Sequence, residues 1–187
     1  MPFTPAHPAI ILPLLRARPH LFSGTALVIG SMAPDFEYFL KMRVNSDFSH
    51  SLPAVLYFNI PLTIVLAILF HSLVKKNLIE NLPVYFQYRL HNLKELNFTH
   101  VLKSNYWAVM LSAGIGACSH IFWDSFTHND GYFAQRISFY KYIFIPFDGV
   151  SYPLFYALQH ISTIAGLAII FLYVVLMKPI KEIGEYK

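Results

Sequence analysis

"LPAVLYFNIPLTIVLAILFHSLV", residues 52–74, is the stretch that decides the fold. Crossing the hydrocarbon core of a bilayer takes about 20 mostly apolar helical residues, and this segment supplies them. Pro61 predicts a kink, because proline removes one donor from the helical ladder. Two more segments have the same reach. Residues 106–126 carry Ser112, Gly114, Gly116 and Ala117 as a small-residue face suited to close helix contact. Residues 154–177 close on "GLAIIFLYVVLM", where Lys178 and Pro179 stop the helix.

Around these segments the chain is less regular. Residues 75–104 form a polar connection with an amphipathic helix predicted over Val84–Leu96. "PAIILPLLRAR" is apolar but too short to span, and Pro13 limits it. "LFSGTALVIGSMAPDFEYFL", residues 21–40, is apolar up to Ala33 and then meets Pro34 and Asp35, so it fits a span, a re-entrant piece or a buried helix. "MPFTPAHPAI" has neither the basic start nor the continuous apolar core of a cleavable signal peptide. The expected fold is all-α: one polytopic helical membrane domain over residues 1–187, with at least three transmembrane helices and a helical N-terminal region.

Composition agrees. The 187 residues are 56% hydrophobic and only 13% charged, with a mean hydropathy of +0.48. An ordinary soluble domain carries about 25% charged residues, so an apolar solvent is implied. The net charge of +4 is dispersed, and no basic run is dense enough for nucleic-acid binding. Cys118, alone, excludes an intrachain disulfide and lies among small residues, where a buried thiol is expected.

Lys75, Lys76, Arg89, Lys94, Lys103, Lys178, Lys181 and Lys187 fall on one side of a three-span topology, predicted cytoplasmic. Arg16, Arg18, Lys41, Arg43, Arg136 and Lys141 fall on the other. The same topology sorts the metal-type residues. His7, Asp35, His50, Asp124, His128 and His160 reach the non-cytoplasmic side, and His120 lies one turn deeper than Asp124. His71, His91 and His100 fall toward the opposite side.

In "SHIFWDSFTHNDG", residues 119–131, His120, Asp124 and His128 recur every fourth residue and so share one side of a helix. An Asp at the centre of a spanning helix costs roughly 2.5–3.5 kcal/mol. A position near the interface lowers that cost, and a bound cation reverses it. Imidazole and carboxylate without thiolate suit zinc, manganese or iron. Asn129, Asp130 and Gly131 are expected to stop the helix, leaving His128 at the mouth of the site. The bland alternative is that such groups are satisfied core residues, and it is preferred for His20, His71, His91 and His100. Glu37 and Asp47 are expected to be solvated or headgroup-facing, and Asp148 a turn residue.

"MPFTPAH", "GSMAPDFEYF", "HSLP", "HIFWDSFTH" and "LQHIS" together resemble the bacterial domain of unknown function family 4184. The resemblance implies an integral membrane protein, with polar motif positions at His7, Asp35, His50, His120, Asp124, His128 and His160. A fainter similarity runs to membrane-bound predicted metal-dependent hydrolases. Helical zinc phospholipases share the motif order, but their second-half His-x-x-x-Glu pattern is missing here.

The expected function is therefore a membrane-embedded metal-dependent hydrolase of the bacterial inner membrane, its site on the non-cytoplasmic side, acting on a lipid or lipid-linked phosphoester. Asp35, His50, His120 and Asp124 form the expected metal shell, with His7 a further ligand and His128 and His160 catalytic. A divalent metal, zinc first, is the expected cofactor, and membrane lipids are the expected surroundings. The rival is a non-enzymatic transporter or assembly factor whose His and Asp residues form a proton or cation relay. Such a relay should continue toward His71.

Overall fold

A computed structural model describes residues 3–17, 21–43 and 48–180, the side chain of Lys141 apart. Arg18, His20, Asp47, Lys181 and Lys187 lie outside the described residues. The chain is mostly helical. A 3₁₀ helix over Thr4–Ile11 runs into α1 (Leu12–Ala17), followed by α2 (Gly24–Gly30), a 3₁₀ turn over Ala33–Asp35 and α3 (Phe36–Lys41). The long α4 (Leu52–Glu80) leads into α5 (Val84–Glu95) and α6 (Phe98–Ser104). Then come α7 (Tyr106–Thr127), α8 (Tyr132–Arg136), strands β1 (Phe144–Phe147) and β2 (Val150–Pro153), and α9 (Leu154–Leu176).

Among the described residues, α4 and α9 are long and apolar enough to cross a membrane. They are not the covered core helices of a soluble domain. Val65, Ile68, Leu73, Ile164, Phe171 and Leu172 all point outward and are exposed. The segment predicted as a third span does form the 22-residue α7, but that helix spends one face on Ser112, His120, Asp124 and Thr127. Residues 21–40 are not one helix. The break falls at Met32–Pro34, where α2 gives way to the 3₁₀ turn and the chain changes direction beside Asp35.

Pro61 is accommodated without a break in α4. The turn before it, Val55–Asn59, widens to a π-helix, and a second π turn covers Phe70–Val74. The first of these lies where the proline removes a ladder N–H and its ring crowds the carbonyl four residues back.

The core lies between α2, α4 and α7 and includes Ala26, Ile29, Val55, Ile60, Ala67, Phe98, Val109, Ala113 and Ala117. The small-residue face works as expected along α2. A Cβ on Gly116 would lie 2.5 Å from the Leu27 carbonyl oxygen, and one on Gly30 would lie 2.6 Å from that of Ala113. Ser112 Oγ accepts a hydrogen bond from the Ser23 backbone N–H at 2.9 Å. Gly114 instead turns to α4, where a Cβ would meet Ile60 at an ordinary 3.5 Å. Cys118 is exposed on the far side of α7 rather than buried, because the small residues around it face α2 and it does not.

The all-α expectation needs one correction. Residues 144–153 form an antiparallel hairpin, with Phe147 paired to Val150 across Asp148-Gly149. Both turn residues have positive φ, 49° and 74°. That is the two-residue turn whose twist matches paired strands.

At the other end, α5 clamps α9. Arg89 Nε donates to the Val175 carbonyl at 2.9 Å, Tyr85 Oη donates to the same oxygen at 3.2 Å, and Ile180 N–H donates to Tyr88 O at 3.1 Å. The 75–104 connection thus sits with the C-terminal end of α9.

Candidate metal centre

Four local devices bring the polar residues together. Pro34 opens the short turn that ends on Asp35. His50 lies in the loop just before α4, whose first turn is capped by Ser51 accepting from Ala54 N–H. His120 and Asp124, one turn apart, share the buried face of α7. One ligand atom from each of Asp35, His50, His120 and Asp124 falls within 4.8 Å of every other. Asp35 and His120 are fully buried, and Asp124 nearly so. The side chain of His50 retains 22% exposure, which leaves the opening on its side.

The orientations follow from the backbone. His120 Nδ1 lies 2.8 Å from the Ser31 carbonyl oxygen and must donate to it. His120 Nε2 therefore points inward, at Asp124 Oδ2 (3.1 Å), Asp35 Oδ1 (3.3 Å) and His50 Nε2 (3.2 Å). His50 Nε2 is 3.3 Å from Asp35 Oδ1 and 3.5 Å from Asp124 Oδ2. A proton on His50 Nε2 serves one of these acceptors at a time, and a proton on its other nitrogen serves none. Asp35 Oδ1 is in fact a buried oxygen without a hydrogen-bond partner. The other oxygen, Oδ2, accepts from the Thr4 hydroxyl at 2.5 Å.

Two buried carboxylates and inward lone pairs are costly unless a positive charge lies among them. Burial works to raise the Asp35 pKa, but the facing imidazoles of His120 and His50 outweigh it and hold the group below the usual carboxylate range. At His50, burial opposes the charge, yet the Asp124 and Asp35 carboxylates prevail and its pKa rises. The two shifts report opposite local potentials, positive at the Asp35 carboxylate and negative at the His50 ring, as mutual pairing of carboxylates and imidazoles requires. Neutral imidazoles fixed by a second-nitrogen hydrogen bond, with carboxylates beside them, are the donor set of a divalent metal.

A family model described as a domain of unknown function, DUF4184, matches residues 1–183. The chain belongs to that family. No curated protein and no solved structure is significantly similar to it.

In this DUF4184 chain the remaining motif histidines fall into place around Asp124 or away from it. His7, buried, stacks on His120 with ring centroids 3.8 Å apart, and its Nε2 is 3.1 Å from Asp124 Oδ1. Its Nδ1 is 3.2 Å from the Thr4 carbonyl oxygen. Burial pushes the His7 pKa down despite the Asp124 contact. His128 caps the end of α7, half-buried, with Nδ1 3.5 Å from Asp124 Oδ1 and 3.2 Å from the Asp124 carbonyl oxygen. His160 is exposed on α9, edge-on to Tyr156 at 4.7 Å, and is not among the four that converge. His71 sits elsewhere, 3.0 Å from Thr25 Oγ1 and stacked on Phe98.

Glu37 is the largest departure from the sequence expectation. It is not solvated but buried, at 1% exposure. Its carboxylate accepts from the backbone N–H of Ser49 (2.9 Å) and Phe48 (3.4 Å), and from Lys41 Nζ at 2.5 Å. Those N–H groups belong to the loop that presents His50, so a buried charge holds that loop in register. Tyr38, 5.5 Å from the His50 ring, was also not singled out by sequence. Burial and the surrounding carboxylates push its phenol pKa up, which keeps the hydroxyl protonated. Gly131 differs in its reason. Its φ is an ordinary −62°, but a Cβ there would lie 2.5 Å from Ser125 O, so closeness of the returning chain demands glycine.

Proposed function

We propose that this protein is an integral membrane, metal-dependent hydrolase whose site opens on the non-cytoplasmic side of a bacterial inner membrane. The convergence of Asp35, His50, His120 and Asp124, with Asp35 Oδ1 buried among them and lacking a hydrogen-bond partner, carries this proposal. Two apolar helices with bare outer faces support the membrane setting, with α7 as the third crossing. Asp35, His50, His120 and Asp124 would hold a divalent ion, zinc first among those that such ligands suit. A bound ion of this kind supplies an activated water near neutral pH and polarises a phosphoryl or acyl oxygen. His128, half-buried beside Asp124, is placed to carry a proton at the opening, and His7 to hold Asp124 in line. Catalytic use of His160 would need it to act from the exposed surface of α9.

A lipid or lipid-linked phosphoester fits best. The site lies near the N-terminal end of α4 and the C-terminal end of α7, where a headgroup would meet the helices' apolar flanks. The relay alternative draws less support. The buried residues that α4 and α7 pack together include Ala67, Val109 and Ala113 with Asn59, Thr63 and Ser112, and none of these side chains exchanges a proton near neutral pH.

The test is metal-dependent stability joined to turnover. Binding at a hundredfold excess over Kd adds roughly 2.7 kcal/mol to the folded state. The detergent-solubilised protein should melt higher with zinc or manganese than with chelator, and Asp124→Asn should lose most of that increment. Hydrolysis of phospholipid and lipid-linked phosphate panels should fall with it. An Asp124→Asn protein that keeps the full increment overturns the ligand assignment.

A further inference from the structure

The two oxygens of Asp124 face different nitrogens. Oδ2 faces His120 Nε2 at 3.1 Å and His50 Nε2 at 3.5 Å. Oδ1 faces His7 Nε2 at 3.1 Å and His128 Nδ1 at 3.5 Å. The four-residue cluster uses the first oxygen only.

The His7 and His120 rings make the division geometric. They lie nearly parallel, 17° apart in plane, with centroids separated by 3.8 Å. Each has Nδ1 against a backbone carbonyl, of Thr4 for His7 and Ser31 for His120, and each turns Nε2 to Asp124. An imidazole binds a metal in its own ring plane. A single ion in the His120 plane therefore lies outside the His7 plane, and both rings cannot ligate it well. Paired ions in hydrolytic sites lie about 3.5–4 Å apart, clamped by a shared carboxylate. The separation of the stacked rings falls in that range.

We propose that a second divalent cation binds on the Oδ1 side of Asp124, held by His7 Nε2 and Asp124 Oδ1 with His128 beside it, so that Asp124 bridges a two-metal centre. This rests on the metal-centre reading above and extends it. His7 is 1% exposed, so its nitrogen is withdrawn from bulk water and committed to the site. His128, half-buried, marks the open edge, where the coordination positions left by the protein go to solvent or to a substrate oxygen. With Asp35 and Asp124 as the carboxylates of the pair, two divalent ions leave a net positive centre. Such a centre selects an anionic ester, a phosphoester above all.

The full chain in detergent, stripped with chelator and titrated with zinc or manganese, gives the decisive count. Two tightly held ions per chain in wild type, falling to one in His7→Ala, are expected. The manganese-loaded wild type should give the electron paramagnetic resonance spectrum of an exchange-coupled pair, which isolated ions do not produce. One ion per chain in wild type overturns the second site and leaves the single-ion hydrolase standing, whereas none overturns both. Two ions without exchange coupling, or two retained in His7→Ala, overturn the bridge through Asp124. Should His7→Ala fail to fold, the wild-type count and spectrum alone decide.

Discussion

At His50 a proton and a metal ion compete for one nitrogen. Its folded-state pKa is raised above 6.5, because the carboxylates outweigh burial. In chelated protein the pairing of protonated His50 therefore contributes fully below about pH 6.5 and is lost as pH rises through the higher folded value. His7 has the opposite sign. Its lowered pKa makes it cost stability as pH falls below 6.5, since the unfolded state takes up the proton first. These trends partly offset each other without metal. Metal binding needs the His50 ring neutral, so the metal-induced increment in melting temperature should grow as pH rises from 6.5 through the higher folded value of His50. Each proton displaced weakens binding by about 1.4 kcal/mol per pH unit below that group's pKa. Melting curves across that range, with zinc and with chelator, check it, and a flat increment would remove His50 from the shell. The i, i+4 pair of His120 and Asp124 was legible in the sequence because helix geometry alone joins them. Asp35 and His50 were legible by topology. Glu37 was not, because its burial depends on N–H groups of Phe48 and Ser49 returning to it from a different element.

Helix contact sets the positions of these side chains, and two glycines on α7 separate packing from propensity. Gly116 meets the α2 backbone: an added Cβ would sit 2.5 Å from Leu27 O and 2.7 Å from Ser31 N. Neither atom can move without displacing Ser31, whose carbonyl oxygen orients His120. Gly116→Ala should cost about 1–3 kcal/mol by overpacking, and it should lower metal affinity as well. Gly114→Ala meets the flexible end of Ile60 at 3.5 Å and a Val55 methyl at 3.9 Å, both ordinary contacts. There the gain in helix propensity, about 1 kcal/mol, should leave the protein equal or more stable. Melting temperatures and metal titrations of the two variants side by side check the contrast. A harmless Gly116→Ala would show that α2 and α7 do not pack backbone to backbone. The sequence marked the small-residue face but could not divide it, since which glycine meets which helix is a matter of rotation. The hairpin was missed for a related reason. Asp148-Gly149 was legible as a turn, but pairing of its flanks is a contact between strands that their short apolar runs do not announce. The π turn over Val55–Asn59 likewise appears only once Pro61 has to be housed within a continuous helix.

Sidedness belongs to the whole molecule, and the lengths of the apolar segments set it. With α4, α7 and α9 as crossings, the loop before α4, the end of α7 and the start of α9 share one face, while residues 75–104 share the other with the end of α9. The hydrogen bonds from Arg89 and Tyr85 to Val175 require the second grouping in any case. The basic residues agree, since Lys75, Lys76, Arg89, Lys94, Lys103 and Lys178 gather on the α5 side. Because short, positively charged loops are retained in the cytoplasm, that side should be cytoplasmic and the cluster should open on the other. Reporters inserted at Lys94 and fused after Lys187 should both give the cytoplasmic signal, and one inserted at the exposed Asp148–Gly149 turn should give the opposite. If the Asp148 reporter matches the other two, neither α7 nor α9 crosses. If Lys94 and Lys187 disagree with each other, α9 does not cross with α5 against its end, and the three-crossing arrangement fails as a whole.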